Sequence, residues 1–111
     1  MRIWDIAPHR LCRKHLVAEH AEIHAAWSVL TTEKEAYAAH PEVRRWRGRL
    51  HALYRRHGLV ATEMARRGFA HRSDLQPRLA TGLDVQDTYL DAPDEQERIL
   101  IAKGCGCAAL E

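Results

Sequence analysis

The chain has 111 residues and a formal net charge of +2, so it is long enough for one domain with a modest core and too short for a separate cofactor domain. Hydrophobic residues make up 46% and charged residues 29% of it, which is ordinary for a globular protein and argues against wholesale disorder. No apolar run reaches the length of a membrane span and the N-terminus lacks a signal-peptide core, so we expect a cytoplasmic protein that does not enter a membrane.

After an extended start at MRIWDI, Pro8 suits the first turn of the first predicted helix, because the N–H that it lacks would have no partner there. An apolar stripe at helical spacing follows, formed by Leu16, His20, Ile23, Trp27 and Leu30. A second, short helix is predicted from Thr32, where Glu35 completes a capping box. It should stop before Pro41, because the residue preceding a proline is pushed out of the helical region.

The clearest pattern predicts a long helix that ends at residues 66–68, with Gly68 just after its C-cap. Its apolar stripe is formed by Val43, Trp46, Leu50, Leu53, His57, Val60 and Met64. Gly58 lies inside this helix and permits a bend, since glycine costs roughly 1 kcal/mol there relative to alanine. Residues 70–92 are predicted to form an ordered loop with one turn of helix at most.

A last helix is predicted from Pro93 to Lys103, ending at Gly104. Evidence for strands is weak along the whole chain. We therefore expect an all-α fold, a compact single domain of about three main helices with irregular connecting loops. Residues 104–111 are expected to be a flexible tail.

Charge is unevenly distributed along the chain. Residues 44–78 contain ten arginines and two acidic residues, whereas residues 83–111 contain seven acidic residues and two basic ones. The planar guanidinium of arginine suits bidentate contact with phosphate. The basic block therefore indicates nucleic-acid binding, although a solvated helix face explains it as readily.

The stretch KHLVAEHAEIHAAW places three histidines in the first helix, pointing in different directions around it, so we do not expect them to form one cluster. A zinc protease needs H-E-x-x-H, but His20 and His24 read HAEIH, and no third ligand accompanies them at motif spacing. We predict no metal site and a buried, hydrogen-bonded His20. His15, Glu19 and Glu22 share one ridge, which spacing alone explains as a solvated face.

The three cysteines are an odd and sparse set, unlike the framework of a disulfide-rich secreted domain, so we expect them to be reduced. Cys105 and Cys107 have C-x-C spacing near the C-terminus. A structural zinc site usually takes four ligands with C-x-x-C type spacing, so two free thiols in a tail are the favoured interpretation.

Several short motifs occur in a familiar order. Arg2 and Ile3 are followed by HL at His15, by AE ending at Glu19 and by Glu22, and the long helix ends in EMARRGF. This order resembles the pyrimidine-dimer DNA glycosylases of the endonuclease V type, over residues 1 to about 72. The resemblance implies a helical protein that binds DNA, flips a nucleotide out of the duplex and attacks C1′ with its N-terminal α-amine.

The resemblance places this amine on Met1 and the essential carboxylate on Glu22, with His15, Arg2 and Glu19 completing the catalytic set. It implies glycosylase and abasic-site lyase activity without metal or cofactor. The expected partner is double-stranded DNA with a damaged base or abasic site, bound by a monomer. The basic residues expected to contact phosphates are Arg13, Lys14, Arg44, Arg45, Arg47, Arg49, Arg55 and Arg56.

The chain departs from the family pattern in two places. Ala21 and Ala25 stand where the family often carries arginines on either side of the glutamate, and the C-terminus is acidic instead of basic and aromatic. Lyase action on abasic sites is therefore a firmer expectation than specificity for a pyrimidine dimer. The alternatives are a non-catalytic nucleic-acid-binding module and a metal-dependent nuclease that uses His20 and His24 with Cys105 and Cys107.

Overall fold

The structure is a computed structural model that describes residues 2–32, 39–70 and 73–107. These ranges contain four α-helices and two 3₁₀ turns, and no strand within them. The helices are α1 (Arg13–Thr32), α2 (Pro41–Arg44), α3 (Leu50–Arg66) and α4 (Pro93–Ala102), and the turns are Pro8–Arg10 and Pro77–Leu79. The predicted all-α single domain with three main helices is confirmed.

The packing of α1 against α3 forms the centre of the core. Leu16 and Ile23 of α1 and Leu53 and Val60 of α3 are fully buried, as their helical spacing predicted. Trp46, from the connection between α2 and α3, is also buried beside them. No described helix combines the length and apolar character that a membrane crossing requires.

The predicted long helix is interrupted, and this expectation was wrong. Residues 45–49 turn between α2 and α3, and Gly48 adopts a left-handed φ of 75°. The first N–H groups of a helix have no partner within it, and the loop carbonyls of Thr81 and Leu83 accept them from His51 at 2.8 Å and Ala52 at 3.0 Å. Distant loop contacts therefore decide where α3 begins.

Gly82 allows this loop to approach the α3 start closely. It forms a single bridge with Arg49 and has a φ of 82°. A Cβ at this position would lie 2.1 Å from the carbonyl oxygen of Gly48, which is backbone and cannot move aside. Only glycine fits there without displacing the loop.

The helix ends predicted from sequence are confirmed at two places. Gly68 has a φ of 80°, and the N–H of Phe69 donates to the carbonyl of Met64 at 2.8 Å, closing α3 as a glycine C-cap does. The last helix begins at Pro93 and is followed by Gly104, with a φ of 66°. The loop before it contains the expected single helical turn, Pro77–Leu79.

Two other predictions, the short helix after Thr32 and the flexible C-terminal tail, have different outcomes. The short helix predicted after Thr32 falls mostly on residues 33–38, outside the described ranges. Thr32 itself is the last residue of α1, and its hydroxyl donates to the carbonyl of Ser28 at 2.6 Å. Residues 104–107, expected in a tail, pack against the start of α1, and Cys107 is buried there.

Candidate functional site

The segment after Met1 is extended, and side chains from three helices hold its backbone. Ile3, Trp4 and Ile6 are buried, so the segment runs through the core and not over the surface. Three successive N–H groups donate to side-chain oxygens: Ile3 to Glu42 at 3.1 Å, Trp4 to Glu19 at 2.8 Å and Asp5 to Gln96 at 2.7 Å. All three acceptor residues are almost fully buried, which makes this anchoring rigid.

Arg45 also holds the N-terminal segment in place. Its guanidinium donates to the carbonyl of Ile3 at 2.8 Å and pairs with Glu42 at 2.7 Å and Asp5 at 2.9 Å. The residue is only 5% exposed. Arg45 was predicted to contact DNA, but its guanidinium is buried and forms ion pairs with carboxylates inside the protein.

Glu19 is buried between the N-terminal segment and α3. Besides accepting from Trp4, its carboxylate accepts from Arg56 Nε at 2.8 Å. Burial raises the pKa of Glu19 to about 7, against the opposing effects of Arg56 and of the Trp4 N–H. The solvated face suggested by spacing alone is therefore wrong for Glu19, and the guanidinium of Arg56, another predicted DNA contact, is paired in the interior.

Glu22 lies one helical turn after Glu19 on α1, at a spacing that puts the two side chains on neighbouring positions of one face. It is half-buried. Its carboxylate has no hydrogen bond or ion pair within residues 2–32, 39–70 and 73–107. Met1, predicted to carry the nucleophilic amine, lies outside the described residues, but Ile3 and Trp4 are fixed directly beyond it.

Arg2 and His15 both contact the side chain of Trp4. The guanidinium of Arg2 lies 4.7 Å from the ring centre of Trp4 and pairs with Asp91 at 2.8 Å. The ring of His15 packs edge-on against Trp4 with 6.0 Å between centroids. Burial lowers the pKa of His15, and nearby Lys103 and Lys14 lower it further.

The remaining basic residues of the predicted DNA set are at the surface. Arg49 pairs with Asp87 at 3.0 Å and Arg55 pairs with Asp84 at 3.4 Å, so part of the acid-rich range 83–111 lies beside the start of α3. The exposed members are Arg13, Lys14, Arg44, Arg47 and Arg55. These five residues are the candidates for phosphate contacts, because such contacts would not require them to leave a buried ion pair.

The fold brings together two groups of side chains of the types that ligate metals, and sequence spacing predicted neither group. His20 and His24, with 4.6 Å between ring centroids, are joined by His57 from α3, whose Nε2 lies 3.2 Å from that of His24. No third ligand lies at motif spacing along the sequence, but the fold brings His57 next to the pair. His20 and His57 lie on the apolar stripes of two helices that pack together. This shared placement was the sequence feature from which their proximity could have been predicted.

The second group brings His15 together with all three cysteines. The Sγ atoms of Cys12, Cys107 and Cys105 lie 3.1, 3.3 and 3.4 Å from His15 Nδ1. The predicted nuclease site that combined His20 and His24 with Cys105 and Cys107 does not form, because these residues belong to two separate groups.

Comparison with known proteins identifies the family. The sequence model of the family described as pyrimidine dimer DNA glycosylase matches residues 1–77, which include the N-terminal segment, α1, α2 and α3. No curated protein and no solved structure matches the chain. Because the match covers well over half of the 111 residues, the chain belongs to the pyrimidine dimer DNA glycosylase family.

Proposed function

We propose that this protein is a DNA glycosylase with abasic-site lyase activity on damaged duplex DNA, in which the α-amine of Met1 is the nucleophile and Glu22 is the essential carboxylate. Family membership supports a DNA-repair glycosylase. The single observation that supports the finer assignment is the anchoring of the Ile3, Trp4 and Asp5 N–H groups by buried side chains. A nucleophile on residue 1 needs such a rigid base, because reaction rates depend steeply on positioning.

The chemistry needs no group beyond those of the chain and the substrate. An α-amino group has a reference pKa of about 7.7–8.0, so a useful fraction is unprotonated at neutral pH. Its lone pair forms a bond to C1′ as the bond from C1′ to the base breaks, and the base leaves with the electron pair and takes up a proton. Loss of an amine proton and opening of the sugar give an iminium linked to Met1.

The lyase step follows from that iminium. Removal of a proton from C2′ leaves an electron pair that expels the 3′ phosphate by β-elimination, and hydrolysis of the imine then frees the amine. Glu22 is assigned to stabilise the positively charged sugar and to transfer protons. Glu19, Arg2 and His15 are assigned as positioning residues, since each contacts Trp4 next to the reacting end of the chain.

DNA binding is assigned to exposed basic residues. Arg13, Lys14 and Arg44 are exposed and lie at the start of α1 and the end of α2. Contacts from such residues to phosphates provide sequence-independent attraction that weakens with salt. The proposed complex contains one protein chain on one damaged duplex.

Borohydride trapping tests the reaction directly. The protein, purified with its native N-terminus and verified by intact-mass measurement, is incubated with an abasic-site duplex and sodium borohydride, which reduces an imine to a stable amine. We expect a covalent protein–DNA complex, and none when two residues are added before Met1. Salt-dependent duplex binding with no trapped complex would instead indicate a non-catalytic nucleic-acid-binding module.

A further inference from the structure

The C-terminal end of α4 and the start of α1 bring four metal-ligating atoms into one place. The Sγ atoms of Cys12, Cys105 and Cys107 and the Nδ1 atom of His15 all lie within 4.8 Å of one another. Cys107 is buried, and the other three residues are half-buried. All three cysteines are free thiols and not disulfides.

We propose that these four residues bind one Zn²⁺ ion in a structural Cys₃His site. Zinc with bonds of about 2.3 Å to sulfur and about 2.0 Å to nitrogen in tetrahedral geometry holds sulfur and nitrogen ligands about 3.5 Å apart. The three distances from sulfur to His15 Nδ1, 3.1, 3.3 and 3.4 Å, are close to that separation. Four protein ligands leave no open position, which is typical of a structural site and not a catalytic one.

The backbone around the ligands has the form that such a site requires. Cys12 directly precedes α1, so Cys12 and His15 follow C-x-x-H spacing in its first turn, and the carbonyl of Cys12 accepts from Leu16 at 2.8 Å. After α4 the chain turns sharply at Gly104 and Gly106, with φ angles of 66° and 93°. These left-handed residues flank Cys105 and direct both C-terminal thiols toward α1.

Backbone N–H groups already point at the sulfur atoms. The N–H of Cys12 donates to Cys107 Sγ at 3.0 Å, and the N–H of His15 donates to Cys12 Sγ at 3.5 Å. Such second-layer hydrogen bonds orient ligands and stabilise thiolates at metal centres. Without a metal ion, the hydrogen bonds among three thiols and one imidazole would stabilise the fold only slightly, because sulfur is a weak hydrogen-bonding partner.

The proposed ion connects the family region to the segment that follows it. Cys12 and His15 lie within the matched residues 1–77, whereas Cys105 and Cys107 lie beyond them. Helix α4 contributes only Gln96 and Leu100 to the buried interior. A zinc ion bound at the end of α4 would therefore hold this helix, whose Gln96 accepts the Asp5 N–H, against the rest of the protein. The ion would stabilise the N-terminal segment in this way without taking part in the reaction.

The first test measures metal in the full-length protein purified under reducing conditions from cells supplied with zinc. Elemental analysis should find one Zn²⁺ per chain after extensive dialysis. Substitution with Co²⁺ should give the intense visible bands of tetrahedral cobalt and the ultraviolet charge-transfer band of thiolate ligation. Less than a tenth of an equivalent of zinc after reloading, or a disulfide between any two of the cysteines in the reduced preparation, would overturn the proposal.

Matched variants then assign the ligands. Cys105→Ser and Cys107→Ser should each weaken zinc binding by more than about 100-fold in competition with a chromophoric chelator, since losing a ligand costs more than losing its supporting hydrogen bond. His15→Cys keeps four ligands, so it should retain zinc and shift the cobalt spectrum toward that of four thiolates. Even if the serine variants unfold, this spectral shift decides the assignment.

The histidine group supplies the control. His24→Gln removes a ligand from the other cluster, the only further group of three or more such residues in the described ranges. It should leave the zinc content and the cobalt spectrum unchanged. Zinc that is lost from His24→Gln and retained by Cys105→Ser would place the ion among the histidines and refute the Cys₃His assignment.

Discussion

Glu19 on α1 accepts the backbone N–H of Trp4 at 2.8 Å while being only 1% exposed. A helix residue buried in the core thus fixes the backbone three residues after the proposed nucleophile. The same carboxylate pairs with Arg56 of α3, so the position of the N-terminal segment depends on the packing of the two main helices. This relationship links the stability of the core to the geometry of the proposed reaction.

Replacing Glu19 by alanine should destabilise the protein and loosen its N-terminal segment. The change removes the acceptor of the Trp4 N–H and leaves the guanidinium of Arg56 buried without its carboxylate, which costs about 3–5 kcal/mol. Urea unfolding measures the loss, and hydrogen exchange at the Trp4 amide measures the loosening. Adding Arg56→Met should recover part of the stability and none of the amide protection. An unchanged exchange rate in Glu19→Ala would refute the anchoring role.

Glu22→Gln should lower turnover on an abasic duplex by at least about 100-fold, the usual contribution of a general acid or base. Single-turnover cleavage measures the rate. The affinity for duplex DNA should stay the same or rise, since the change removes a negative charge near the phosphates. Asp94→Asn is the matched control, since that carboxylate is exposed on α4. Equal rates for Glu22→Gln and wild type would remove Glu22 from the mechanism.

Arg44 and Arg45 should behave differently although they are adjacent. Arg44 is exposed, so Arg44→Met should preserve stability and reduce the slope of log affinity against log salt by about 1. Arg45→Met leaves the carboxylates of Glu42 and Asp5 unpaired in the interior and should cost about 3–5 kcal/mol of unfolding free energy. Urea unfolding and salt titrations of duplex binding separate the two effects. Similar stability losses in both variants would contradict the described burial.

Stability should decrease at acidic pH partly because of Glu63. Hydrogen bonds from Arg66 lower the pKa of Glu63 to about 2, with burial opposing and Arg67 reinforcing the shift. A carboxyl whose pKa falls on folding contributes stability above its unfolded value of about 4.3, and this contribution is lost as the pH falls toward 2. Because Arg66 is largely exposed and screened by water, we expect no more than about 1 kcal/mol. Glu63→Gln should lack this part of the acid dependence in urea unfolding measured between pH 5 and pH 2.5.

Gly82→Ala should destabilise the fold, whereas Gly58→Ala should stabilise it. The added methyl at position 82 would meet the Gly48 carbonyl and adopt an unfavourable φ, at a cost of about 1–3 kcal/mol or more. Position 58 lies in α3, and beyond the local helix backbone no atom lies within 4 Å of the added Cβ, so alanine there should gain roughly 0.5–1 kcal/mol. Thermal unfolding of the two variants tests both signs. A stable Gly82→Ala would show that the loop does not need this close approach.

Local patterns predicted the helices and their glycine ends, because caps and apolar stripes depend on neighbouring residues. They did not predict the break at Gly48, which depends on hydrogen bonds from a loop more than thirty residues later. Nor did they predict the grouping of Cys12 and His15 with Cys105 and Cys107, since only the folded chain brings its two ends together. The burial of Arg56 was missed for the same reason, because its partner Glu19 lies on another helix. Glu42 and Arg45 have the i,i+3 spacing of a helical ion pair, but that spacing does not show that the pair is buried.

The most direct test of the central claim is to locate the covalent bond formed in the borohydride trap. Protease digestion and tandem mass spectrometry of the complex formed with an abasic duplex should find the reduced sugar adduct on the α-nitrogen of the peptide that begins at Met1. Glu22→Gln should form this adduct much more slowly. An adduct on a lysine side chain, or no adduct from protein with a verified native N-terminus, would contradict the assignment of the Met1 amine as nucleophile.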